Sequence, residues 1–252
     1  MAQRIAIITG ANRGLGRNIA LHLADRGVAT IGTYRTNKSE AETLIGEIEA
    51  KGAQAAMLPL DVGQSASFSD FAQSVRETLS GRFGTDKFDY LVNNAGMGLH
   101  SPITETTSSQ IDELLAVHVK APLLLSQALL PLMVDGGRIL NVSSGLARFA
   151  IPGYGVYAAA KGAVEVLTRY MAKELGGRQI RVNVIAPGAI ETDFGGGAVR
   201  DNADLNRMIA QTTALGRVGR PDDIGGAVAA ILFEEFGWAN GERIEVSGGQ
   251  NL

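Results

Sequence analysis

The 252-residue chain contains no cysteine, which excludes disulfides, thiolate nucleophiles and sulfur-built zinc sites. Histidine is almost as scarce, and His22, His100 and His118 are scattered too widely to suggest a metal cluster. Charged residues make up only 19 % of the chain, with a net charge of −3. No basic stripe therefore points to nucleic acid or to an acidic membrane surface. No stretch approaches the ~18 uninterrupted apolar residues of a membrane span. The N-terminus passes from one arginine into a strand-like run and a glycine turn, without an apolar signal region and cleavage site. The expectation is a cytoplasmic protein with a small-molecule ligand, no nucleic-acid or membrane partner and no metal.

What is present is a pattern. Hydrophobic residues make up 45 % of the chain, enough for one sizeable core. Short β-branched runs end at turn residues near 4–9, 29–34, 55–60, 90–93, 138–142, 181–185 and 243–246, and longer helical patterns fill most of the gaps. That alternation predicts βαβ units, a parallel sheet covered on both faces, and right-handed crossovers. No repeat, charged block or linker divides it, so 1–252 reads as one domain. The densest glycine cluster, at 193–205, lies inside the last third and reads as a mobile loop rather than a boundary.

The first strand runs into a turn with glycines at positions 10, 14 and 16, followed by an amphipathic helix. Such a turn lets backbone amides approach a pyrophosphate and aims the positive end of the helix at it. The Gly-x-x-x-Gly-x-Gly spacing matches neither the common dinucleotide fingerprint nor a phosphate loop. The second strand ends in Tyr34-Arg35, where an NAD site usually offers an acid to the ribose 2′-hydroxyl, and here there is none. Arg13 and Arg35 are instead suited to a 2′-phosphate, which favours NADP(H) over NAD(H). The alternative is two solvated surface arginines.

Tyr157 and Lys161 stand four apart in a helical stretch and so share a face. An ammonium beside a phenol is expected to lower its pKa towards the working pH of a general acid/base. The spacing alone is weak, since Tyr34 and Lys38 repeat it. Context separates them: Ser144 stands thirteen residues before Tyr157, after a strand, with a hydroxyl suited to a carbonyl oxygen, whereas Tyr34 closes a strand on the adenosine side.

Taken in order, Thr9-Gly-Ala-Asn-Arg-Gly-Leu-Gly16, Asp61-Val62, Asn93-Asn-Ala-Gly96, Ser144, Tyr157-x-x-x-Lys161 and Pro187-Gly188 with Thr192 resemble the motifs of the short-chain dehydrogenase/reductase superfamily along the whole chain. The resemblance implies an α/β doubly wound Rossmann fold, a seven-stranded parallel sheet in the order 3-2-1-4-5-6-7. It places Gly10, Asn12, Arg13, Gly14, Leu15, Gly16, Tyr34 and Arg35 around the cofactor. Asp61 and Val62 would hold the adenine, and Asn93, Ala95 and Gly96 would line the cleft. Pro187, Gly188, Ile190 and Thr192 would meet the nicotinamide end. Each has a plainer alternative as a cap or a turn.

By the same resemblance Tyr157 protonates the substrate oxygen as hydride arrives, Ser144 polarises the carbonyl, and Lys161 binds the ribose and tunes Tyr157. Ser143 competes with Ser144, but the thirteen-residue interval and the alternation of side chains along a strand favour Ser144. The family's fourth catalytic position, usually Asn, falls on His118. An α-helical His118 carbonyl would accept from residue 122, and Pro122 has no N–H, so the carbonyl is left for a proton relay. A competing reading puts the imidazole itself in the relay, because histidine can titrate near neutrality.

The polar segment around 193–215 resembles a flexible substrate lid. Gly98, His100, Ala150, Tyr154 and Phe194 are the pocket candidates for a small or medium carbonyl or alcohol. Apolar surplus on the helices around 108–133 and 155–176 points to a homotetramer, with a homodimer as alternative. A non-catalytic NADP-binding sensor or scaffold is the rival reading, opposed by the intact Ser144, Tyr157 and Lys161. A sugar-nucleotide epimerase would need a larger C-terminal domain.

Overall fold

The computed structural model describes residues 3–252. Seven strands, β1 (Ile5–Ile8), β2 (Ala29–Tyr34), β3 (Ala55–Pro59), β4 (Phe88–Asn93), β5 (Met133–Val142), β6 (Arg181–Pro187) and β7 (Arg243–Val246), form one parallel sheet. Their order is β3-β2-β1-β4-β5-β6-β7, as the family resemblance implies. The central strands are apolar on both faces because helices cover both; every residue of β1 is buried.

The connections carry α1 (Gly14–Ala24), α2 (Lys38–Ala50), α3 (Phe68–Phe83), α4 (Ser108–Leu115), α5 (Ala121–Leu129), α6 (Gly155–Leu175), α7 (Ala198–Asp201), α8 (Ala203–Gln211) and α9 (Pro221–Ile231). On one face Ile19, Leu23, Leu44, Ile48 and Val228 of α1, α2 and α9 pack on Ile8. On the other, Phe71, Val75, Leu125, Leu129 and Met171 of α3, α5 and α6 pack on Ile7 and Leu91. Burying each such side chain contributes about 1.5–3 kcal/mol. Because β1 pairs with both β2 and β4, the direction of sheet growth reverses there and opens a crevice at the C-terminal strand ends.

Two elements differ from the expectation. β5 begins at Met133 rather than 138, because Met133 already pairs with Phe88 across an irregularity in the ladder. The single helix expected over 108–133 is interrupted by a π-helical turn at Ala116–Lys120, in which the Ala121 N–H bonds to the Ala116 carbonyl. Pro122 supplies the reason, since in a regular α-helix its ring would collide with the His118 carbonyl. A wider turn relieves that collision. The stretch Ser108–Leu132 is long and apolar enough to cross a membrane by composition. In this fold it is a core helix, with Leu114, Leu125, Leu129 and Leu132 buried.

Candidate active site

The glycine turn is built by close packing of its own backbone. Gly10 donates to the Thr33 hydroxyl at 3.0 Å and Ala11 to the Thr33 carbonyl at 2.8 Å, tying the turn to β2. Gly10 and Gly14 have φ of +64° and +56°, and a Cβ on Gly16 would lie 2.2 Å from the Gly10 carbonyl oxygen. Only glycine fits there, so the chain can press against itself and present the N–H groups that begin α1. Leu15 packs on the core, and the buried Asn12 amide donates to Glu40 at 2.9 Å, bracing the turn against α2.

Arg13 and Arg35 are both exposed on this side, and neither makes an ion pair among the described residues. Neighbouring Arg17, by contrast, is bound to Glu47 at 2.6 Å. Lys38 pairs with Glu42 at 3.4 Å, which leaves Tyr34 as a strand-end residue and not half of a second Tyr-Lys couple. Asp61 accepts from the Gly63 N–H at 2.9 Å, shaping the turn after β3. Val62 and Ala95 share a small cavity with Thr9 and Pro122. At the other end Pro187 closes β6, Gly188 lies against Ser247 and Gln250, Ile190 bridges to Gly219, and buried Thr192 approaches Gly14.

The Asn93–Gly96 segment divides its labour in a way the motif did not disclose. The Asn93 amide turns into the core and donates to Asn141 at 2.8 Å and Ser126 at 3.2 Å, while Asn141 donates to Thr168 at 2.9 Å. The Asn93 side chain thus joins β4, β5, α5 and α6 through buried polar contacts, while the residue borders the small cavity shared with Val62 and Ala95. Its neighbour Asn94 faces the turn instead, donating to the Thr9 carbonyl at 2.8 Å and that of Gly10 at 3.2 Å. Thr9 Oγ1 accepts from the Asn94 and Ala95 N–H groups, each at 2.9 Å. Thr9 and Asn94 thus sew the glycine turn to β4, and strand alternation is the signal that could have separated Asn94 from Asn93.

Tyr157 and Lys161 stand together on the first two turns of α6, facing the end of β5. Lys161 Nζ donates to the Val142 carbonyl at 2.8 Å and lies 5.6 Å from the Tyr157 ring centre. Burial pushes this ammonium down to about 7. The expectation that Lys161 would lower the Tyr157 pKa is not met in the protein alone. Burial raises the phenol above its usual range, opposed by a hydrogen bond with Ser144. The physical reason is that removing the charged form from water outweighs any help from an ammonium that is itself poorly solvated. Ser144 sits just beyond β5, where its Oγ also accepts from the Leu146 N–H at 3.2 Å. Ser143 points away, buried and donating to Glu165 at 2.6 Å, which leaves Ser144 as the serine beside Tyr157.

His118 is buried behind Tyr157, its Nε2 donating to the Met97 carbonyl at 2.8 Å. Burial, then the charge of Lys161, pushes its pKa down to about 3, so the ring is neutral over the ordinary working range. Gly96 makes room for it, since a Cβ there would meet His118 Cε1 at 2.9 Å. Around Tyr157 the pocket candidates gather as aromatic walls. Tyr154 and Phe194 lie 6.5 and 6.2 Å from its ring centre, and His100 meets Tyr154 edge-on at 5.2 Å. Phe194 lies over Gly98, while Ala150 with Tyr154, Phe149 and Ile151 lines a neighbouring cleft of about 220 Å³. The 193–215 segment folds into a short turn, α7 and α8, with Arg200 bound to Asp193 at its start.

A crevice beside a glycine turn, with a serine, a tyrosine and a lysine brought together at the strand ends, suits an oxidoreductase class, and comparison with known proteins agrees. The family profile described as enoyl-(acyl carrier protein) reductase matches residues 10–251. An uncharacterized oxidoreductase of Methylorubrum extorquens is 35 % identical over 98 % of this chain and 97 % of its own. A hydroxynaphthalene reductase-like protein Arp2 of Metarhizium brunneum is 33 % identical, covering 99 % and 95 %. Among solved structures, the reductase LugOII, which catalyses keto-reduction at C1 during lugdunomycin biosynthesis, superposes with a TM-score of 0.93 at 37 % identity over 98 % of this chain and 97 % of its own. The angucycline C-6 ketoreductase LanV with bound NADP gives 0.93 at 34 %, covering 98 % and 95 %. The chain belongs to the short-chain dehydrogenase/reductase family.

Proposed function

We propose that the protein is an NADP(H)-dependent ketone reductase, running in reverse as an alcohol dehydrogenase, that acts on flat aromatic or polycyclic ketones. The observation that carries this reading is the Ser144–Tyr157–Lys161 grouping set among Tyr154, Phe194 and His100. Aromatic walls suit a planar ring system. The relatives named for hydroxynaphthalene and angucycline reduction support the same class. NADP(H), when bound, supplies the hydride.

The chain's own residues do the rest. The unpaired Arg13 and Arg35 bind the 2′-phosphate, and Gly10, Gly14 and Gly16 admit the pyrophosphate to the N-terminus of α1. Asp61 and Val62 flank the adenine; Ala95, Gly96, Pro187, Gly188, Ile190 and Thr192 border the nicotinamide end. Ser144 donates to the ketone oxygen and Tyr157 hands it a proton as general acid. Lys161 would return that proton to Tyr157 from a solvent water, which the backbone carbonyl of His118 would hold by accepting its hydrogen bond. The neutral, hydrogen-bonded imidazole favours the carbonyl over the ring as the relay member. The 193–215 segment closes over the ketone.

Exposed Leu115, Leu123, Val166 and Tyr170 on the outer faces of α4 to α6 support a homotetramer built on these helices, with a dimer as the alternative that sedimentation distinguishes. The site of action proposed is the cytoplasm. The test is NADPH oxidation over a panel from small aliphatic ketones to fused-ring aromatic ketones, with Tyr157→Phe as control. Fused-ring turnover that vanishes in Tyr157→Phe is expected. Turnover unaffected by that substitution overturns the site, and no turnover with any ketone supports the sensor.

A further inference from the structure

The catalytic serine stands where regular structure has run out. The last β5–β6 ladder bond near it is the Ser143 N–H to the Ile185 carbonyl, at 2.7 Å, and Ser144 lies one residue beyond. Something else must hold Ser144 in line with Tyr157, because a misplacement of even ~1 Å is costly in a reacting geometry. The side chain one residue back is well placed for this. Ser143 is buried, and its hydroxyl donates to Glu165 Oε1 at 2.6 Å while lying 3.3 Å from the Lys161 carbonyl. Glu165 is one helical turn beyond Lys161, which is one turn beyond Tyr157, so the three share one side of α6.

The carboxylate is itself held. Arg243 at the start of β7 donates from Nε to Glu165 Oε1 at 2.8 Å and reaches the Ser144 carbonyl with Nη2 at 3.4 Å. Another nitrogen of the same guanidinium holds Glu245 at 2.8 Å, and Glu245 in turn binds Arg148, four residues after Ser144. A hydroxyl bonded to a charged carboxylate is among the stronger hydrogen bonds a protein makes. Here one such bond joins the strand end carrying Ser144 to the helix turn carrying Lys161.

We propose that Ser143 and Glu165, with Arg243 holding the carboxylate, are positioning residues that fix Ser144 relative to Tyr157 and Lys161. The proposal rests on the reductase reading above. None of the three touches the ketone; they act through Ser144, and a hydroxyl at 143 is needed for its bond to Glu165 and not for chemistry.

The experiment compares Ser143→Ala, Glu165→Ala, the double variant and Glu165→Gln in steady-state ketone reduction and in amide hydrogen exchange. Each alanine variant is expected to lower kcat about tenfold, ~1.4 kcal/mol in the barrier, with the KM for NADPH within about twofold. The double variant is expected to be no worse than either single one, because both remove the same link. Glu165→Gln, whose Oε1 still accepts from Ser143, recovers most of the kcat. Exchange at the Leu146 amide, which donates to Ser144 Oγ, should accelerate about tenfold while the amides of β1 stay protected. Additive losses, unchanged kcat with unchanged Leu146 exchange, or acceleration spread through the whole sheet would overturn the proposal. Wild type and Tyr157→Phe run alongside separate the two levels. If wild type fails to reduce any ketone, the reductase reading falls and the Leu146 exchange still decides whether Ser143 and Glu165 fix Ser144.

Discussion

The His118 ring stands edge-on behind the Tyr157 ring, their centres 5.3 Å apart and their planes at 88°. Its Nε2 lies 2.8 Å from the Met97 carbonyl, which can only accept, so this hydrogen bond calls for the ring's proton on Nε2. The histidine is therefore a neutral packing partner of Tyr157.

A pH dependence of stability follows. The His118 pKa is lowered from an unfolded value of 6.5 to about 3, so the unfolded chain takes a proton that the folded one refuses. The contribution is complete above pH 6.5 and is lost as pH falls towards 3, at up to ~1.4 kcal/mol per pH unit. Urea unfolding of wild type and His118→Asn at pH 7.5 and 4.5 should show wild type losing more stability in acid. Equal losses would mean that the ring titrates normally.

Across the activity range the same ring should be silent. His118→Asn and His118→Ala are expected to give similar kcat/KM profiles between pH 5.5 and 8.5, since both keep the backbone carbonyl. A titration present in wild type and absent from both variants would return the relay to the imidazole.

Cofactor choice should be separable from catalysis. Arg13→Ala and Arg35→Ala each remove a guanidinium that no carboxylate of the described chain occupies, and each should raise the KM for NADPH about 10- to 100-fold, as the loss of a charge-assisted hydrogen bond does. The KM for NADH should barely change. Equal effects on both cofactors would show that these arginines do not read the 2′-phosphate.

The glycine turn makes a steric prediction. Gly16→Ala would place a methyl group 2.2 Å from the Gly10 carbonyl, forcing the turn open. NADPH affinity measured by fluorescence titration should fall by at least about tenfold, ~1.4 kcal/mol. An alanine variant that binds normally would disprove the close backbone approach.

The buried Asn93–Asn141–Thr168 contacts should matter for stability more than for the cofactor. Asn93→Ala leaves Asn141 Oδ1 without its donor and is expected to cost about 1–3 kcal/mol in denaturant unfolding, with the KM for NADPH little changed. A cofactor defect without a stability loss would show that the Asn93 side chain serves the cofactor rather than the core.

Much of this molecule was readable along the chain because local chemistry repeats at fixed intervals. Apolar runs alternating with helical patterns set the βαβ order, the absence of cysteine and of a basic stripe narrowed the chemistry, and context singled out Gly10, Gly14 and Gly16 after the first strand and Tyr157 and Lys161 after Ser144. The tertiary structure decided what depends on which neighbours share a space. It turned Asn93 inward and Asn94 outward, put Glu165 behind Ser143, and widened the helix before Pro122 into a π-turn. It also reversed the expected shift at Tyr157, because a pKa depends on burial as much as on the nearest charge, and burial belongs to the packed fold and to no short stretch of sequence.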